Sequence, residues 1–88
     1  MNNHTKEARR LTTEGMGCLG MISEVKAKAQ LLKSKLRKAN ELDEMTEELE
    51  VQAQQSLDQM RRDLAKYSRR LKQICEELRE YGIIPKLD

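Results

Sequence analysis

Tryptophan and phenylalanine are missing from this chain altogether, and two tyrosines are its only aromatic residues. A chain of 88 residues built this way lacks the bulk for a broad core. It also lacks the stacked rings on which single-stranded nucleic acid is held. Proline occurs once, at Pro85, and between Met21 and Tyr81 there is neither proline nor glycine. The frequent turns of a sandwich or barrel are therefore excluded. No apolar run approaches the roughly 18 residues of a membrane-spanning helix, and no signal-like segment opens the chain. These absences point to a cytoplasmic protein whose two cysteines, Cys18 and Cys75, are reduced thiols. With a single histidine, His4, no metal site can be assembled from recognisable spacing, and no cofactor is expected.

What remains is charge and heptad periodicity. Charged residues make up 36% of the chain, which limits it to a single domain, 1–88, with a narrow apolar stripe. Leu11, Gly15, Cys18, Ile22, Val25, Ala29, Leu32, Leu36 and Ala39 step by alternating fours and threes. Leu57, Met60, Leu64, Tyr67, Leu71, Ile74, Leu78 and Tyr81 do the same. Both runs are coiled-coil seams. Counting straight through the middle would bury Asp43, Thr46 and Glu50 and turn Leu42 and Leu49 outward. Folding near residues 38–41 instead places Leu42, Met45, Leu49 and Ala53 on the seam.

The expected architecture is all-α: an antiparallel hairpin with helix 1 at about 5–39, a turn at about 39–41 and helix 2 at about 42–81. Its pairing sets Gly15 beside Tyr67 and Leu11 near Leu71. Asn40 is the expected cap at the bend, with Asp43 as its reciprocal acid. The alternative fold is one long helix in a parallel coiled-coil dimer. The basic block Lys33, Lys35, Arg37, Lys38 followed by the acidic block Glu41 to Glu50 favours the hairpin, where the two lie side by side. A lone hairpin is marginal, so completion into a four-helix bundle by dimerisation, or by a partner's helix, is expected.

At the far end, Gly82 stands where a left-handed helix terminus is expected. The tail 83–88 is apolar through Ile83, Ile84 and Leu87, and is expected either to fold over Leu11 and Ile74 or to dock into a partner. Gly15, Gly17 and Gly20 match a dinucleotide-binding template but have no preceding strand, so they read as a weak stretch of helix 1 over 15–20, or as the end of a flexible arm that orders on binding. Leu19, Met21, Leu31, Val51, Ala65 and Cys75 lie off the seam and look scattered.

No constellation supports catalysis, because a thin hairpin has no concave, dry site in which to place an acid, base or nucleophile. The chain therefore reads as non-enzymatic and without a small-molecule substrate. The leading expectation is a protein–protein interaction module, an adaptor, assembly factor or chaperone-like partner that packs helices with itself or with another protein. Its expected contacts are Met16, Leu19, Met21, Ile83, Ile84 and Leu87. The rival is a basic nucleic-acid binder using Arg62, Lys66, Arg69 and Arg70 on the outer face of helix 2.

Overall fold

A computed structural model describes residues 3–83, with side chains from residue 5 onward. Two helices account for almost all of them: α1, Asn3–Glu41, and α2, Glu47–Glu80. They pack on each other along their length as an antiparallel hairpin. The molecule measures 65 × 18 × 15 Å with a radius of gyration of 18.5 Å. A compact chain of this length would have a radius near 12 Å, so the shape is a rod two helices thick.

The bend lies at residues 42–46, later than the sequence suggests, and its chemistry explains why no glycine is needed. Asp43 adopts φ 58, the left-handed geometry usually taken by glycine. Its amide donates to the Asn40 carbonyl at 3.2 Å, and the Glu44 amide reaches back to Ala39 at 2.8 Å. These two bonds close α1 as a Schellman motif, with Leu42 at its C-cap. The Thr46 hydroxyl then accepts from the Leu49 amide at 3.1 Å and starts α2. Asn40, the expected cap, is still helical, and Leu42, expected on the seam, is 56% exposed.

Replacing Asp43 with glycine removes the left-handed penalty and is expected to raise stability by about 0.5–1 kcal/mol. Asp43→Val should lower it by about 1–2 kcal/mol. Urea unfolding followed by circular dichroism measures both, and a destabilising glycine would mean that this bend is not the one the protein uses.

With the later bend, α2 sits roughly one helical turn further along α1 than the expected pairing. The same stripes therefore still face each other, but their partners change. A Cβ on Gly15 would lie 3.5 Å from Ile74 Cγ2 and 3.6 Å from Leu71 Cδ1, so this glycine sits between Leu71 and Ile74 rather than beside Tyr67. Leu11 correspondingly joins Ile74 and Leu78, with Ala8 and Cys18, in the main core cluster, against which Tyr67, Leu71 and Tyr81 pack. The anticipated side-by-side charge blocks make no ion pair across the bend among the described residues. Glu47, Glu48 and Glu50 instead occupy the first turn of α2, where acids meet the positive end of the helix dipole.

The far end closes as the sequence indicates. Gly82 is left-handed at φ 77, and the Gly82 and Ile83 amides bond the carbonyls of Arg79 and Leu78 at 2.9 Å each. Ile83 lies over α1 beside Thr5, Ala8 and Thr12 and stays 38% exposed. Ile84 and Leu87 lie outside the described residues. Gly15, Gly17 and Gly20 all sit inside the unbroken α1.

Candidate interaction surface

The seam divides the hairpin into two long edges, and one contact tells which residues share an edge. Glu14 directly precedes the α1 seam residue Gly15, and Arg70 directly precedes the α2 seam residue Leu71. Arg70 Nε donates to Glu14 Oε1 at 2.7 Å and Nη2 to Oε2 at 2.8 Å. This two-pronged pair is the one ion pair joining α1 to α2 among the described residues. It places Glu7, Glu14, Met21 and Lys28 of α1 on the same edge as Asp63, Arg70 and Glu77 of α2. Leu19, Lys26 and Lys33 must then lie on the other edge, with Arg61, Ser68 and Cys75. The position of Ile83 confirms this independently, since Thr5 and Thr12 belong to that second edge and Gly82 follows in step with Cys75.

The first edge is mostly polar, and several of its charges are paired within the hairpin. Arg10 pairs with Glu7 and approaches Glu14, and Lys28 holds Glu24 at 3.1 Å. Gln59 donates to Asp63 at 3.0 Å. The Arg70 hydrogen bond holds the Glu14 carboxyl below its ordinary 4.5, and Arg10 does the same for Glu7. A carboxylate whose folded pKa is depressed lends stability that is present above its unfolded pKa and is lost as pH falls through the folded one. Stability should therefore decline on acidification below the ordinary value of 4.5. Glu14→Gln should remove the interhelical part of that decline and leave the part due to Glu7. Urea midpoints of both proteins across acidic pH test this; superimposable curves would show that the Arg70 pair does not form in solution.

The second edge differs in kind. Leu19 and Cys75 are half-buried there, with exposed Ser68 between them in level, and Met16 and Ala65 lie further out on the same side. The Thr12 hydroxyl donates to the Ala8 carbonyl at 2.8 Å, so it is spent within its own helix. Four of the apparently scattered off-seam residues thus sort into two groups: Leu19, Ala65 and Cys75 share this edge, whereas Met21 lies across the seam on the polar one. Val51, 55% exposed, steps with Asp58 and Ala65 on the side of the second edge near the bend, and Leu31, 57% exposed, steps with Glu24 on the side of the first.

The expected contact set is accordingly divided. Met16, 64% exposed, Leu19 and Ile83 belong to the second edge, and Met21 does not. The expected anionic-partner set is divided too. Arg62 and Arg69 face outward from the back of α2, with Arg62 donating to Gln59 at 2.9 Å. Lys66 turns toward the polar edge and stands 5.6 Å from the Tyr67 ring centre. Arg70 is taken by Glu14 and also donates to Gln73.

One shallow surface hollow is lined by neighbouring residues at the start of α2, Glu47, Glu48, Glu50, Val51 and Gln52. Among the described residues no three histidine, cysteine or acidic side chains cluster to hold a metal, and no helix is long and apolar enough to cross a membrane. Cys18, buried in the seam, and Cys75, at the second edge, are both free thiols. Compared with known proteins, the chain matches no family model, and no curated protein or solved structure is significantly similar to it.

Proposed function

We propose that the protein is a non-enzymatic interaction module, an adaptor, assembly factor or chaperone-like partner that acts by packing its hairpin against further helix. The observation that carries this reading is the unfinished seam. Leu11 and Ile74 are the only large side chains among the described residues with essentially no exposure. Leu32, Leu36, Leu49, Leu57, Met60 and Leu64 all remain partly exposed although they point at the opposite helix. The accessible surface is 7211 Å², against about 5,400 Å² for a compact monomer of this mass. Apolar area left open in this way is the usual substrate for helix association.

Sedimentation equilibrium combined with urea unfolding over a range of concentrations tests the reading. The isolated chain should either associate, with a midpoint that rises with concentration, or be a monomer of at most ~3–5 kcal/mol stability. A monomer well above that stability, with a concentration-independent midpoint, would overturn it, because such a hairpin needs no further helix.

A further inference from the structure

The chemistry of the second edge specifies what kind of helix completes the hairpin. We propose that the edge formed by Leu19 of α1 and Ser68 and Cys75 of α2 is the seat for an acid-flanked amphipathic helix of a partner protein. The proposal rests on the interaction-module reading and adds the partner's chemistry and its docking face.

Three observations converge on it. The floor of the edge combines one large apolar side chain, Leu19, with small ones opposite, Ser68 and Cys75, and with Gly15 beneath them. Small residues let a third helix approach to the ~8–10 Å of close helix packing. The rims carry Arg9, Lys26 and Lys33 on α1 and Arg61, Lys72 and Arg79 on α2, all exposed. The α1 rim has no acid between Thr5 and Asn40, and the α2 rim has only Asp58 between Gln54 and Arg79. Asp58 is already engaged by Gln54 at 3.0 Å and by Arg61 at 3.7 Å. By contrast, the first edge carries acids and bases together, and covering it would strip water from the Glu7–Arg10 and Glu14–Arg70 pairs already formed there.

Charge also decides between a partner and a second copy. A two-fold dimer through this edge would set a basic rim against a basic rim of its mate whichever way its axis runs, because both rims are basic. A helix with leucines on one stripe and glutamates flanking it meets both requirements, apolar floor and basic rims. Lys26 and Arg61 lie within about one helical turn of each other on opposite rims, so a single docked helix meets a base on both sides.

The test uses the full chain and two labelled four-heptad peptides, identical in their leucine stripe and flanked by glutamate in one and lysine in the other. Binding is followed by fluorescence anisotropy, and the alkylation rate of Cys75 reports where the peptide sits; Cys18 is buried and serves as the internal reference. The glutamate peptide should bind and slow Cys75 alkylation at least roughly tenfold. Lys26→Glu, at an exposed position that leaves the seam untouched, should weaken it about tenfold, as should Leu19→Glu. Lys28→Glu on the opposite edge should change it less than about twofold.

Equal binding of the lysine peptide, binding that leaves Cys75 reactive, or no binding of the glutamate peptide to a helical chain would each overturn the proposal. So would protection of Cys75 by self-association alone, or by a labelled RNA in place of the peptide. These outcomes leave the wider reading standing wherever the chain alone is marginal or associating, so the two failures are separable.

Discussion

Ile74→Ala is expected to lower stability by about 3–4 kcal/mol, most of what the isolated chain holds at room temperature. Truncating a buried isoleucine costs about 2–5 kcal/mol, with the larger values where the cavity cannot collapse. Ile74 has 0% exposure, and its Cγ2 fills the notch opposite Gly15, which has no side chain to move into the gap. A helical hairpin of this size rarely holds more than ~3–5 kcal/mol, so little would be left. Leu31→Ala is the control: Leu31 is 57% exposed and its truncation should stay within about 0.5 kcal/mol. Adding Gly15→Ala to Ile74→Ala should recover more than Gly15→Ala gives on its own, because the new methyl group enters the cavity. Such coupling arises only between neighbours. In a single continuous rod Gly15 and Ile74 are far apart along one chain, and their effects would add. Thermal and urea unfolding of the four proteins decides the matter; strict additivity would remove the hairpin.

The seam was readable in the sequence because burial repeats along a helix with a period that side-chain type reports. Leu11, Gly15, Cys18, Val25, Ala53, Ile74 and Leu78, all read as seam positions, are buried in the structure. The bend was harder to place because its signal is conformational rather than compositional. Asn40 is the more usual residue in left-handed geometry, yet Asp43 adopts it, and Thr46 rather than Asn40 starts the next helix. Leu42 suggested a seam position by hydrophobicity alone, but a C-cap residue belongs to the end of α1 and not to the face of α2. A displacement close to one turn kept the stripes facing each other away from the bend while shifting the partners of Gly15 and Leu11 by one seam position. For this reason Leu11 meets Ile74 and Leu78 where Leu71 had been expected.

The surface was legible only once an interhelical contact linked the two helices. Sequence spacing identifies which residues flank a seam, but which flank of one helix joins which flank of the other depends on the fold. The Glu14–Arg70 pair supplies that link. It separates Met21 from Met16 and Leu19, which are close in sequence, and brings Leu19 toward Ser68 and Cys75, which are remote. Arg70 illustrates the same point for charge. In the sequence it extends a basic run, whereas in the structure its guanidinium is already committed.

The double substitution Gly17→Ala with Gly20→Ala is expected to stabilise the protein by about 1–2 kcal/mol and to raise its melting temperature by roughly 5–15 °C. Both glycines lie inside α1, both are exposed, and a Cβ at either would meet nothing within 4 Å. Alanine therefore costs no packing and restricts the unfolded chain, which is the condition under which the exchange is stabilising. Neither position lies on the Leu19 edge, so peptide binding there should be unchanged in affinity apart from any gain due to a better-formed helix. Amide exchange in the segment around Gly17 and Gly20 should slow in the variant by about tenfold or more, since local opening of the glycine stretch becomes rarer. A loss of stability would mean that something packs against these glycines in solution, placing a second helix contact on the outward face of α1. An unchanged melting temperature would mean instead that the segment does not hold helix in the free chain. The Leu19 edge would then form only when its partner is present, and the observed affinity would be reduced by the fraction of molecules in which α1 is complete.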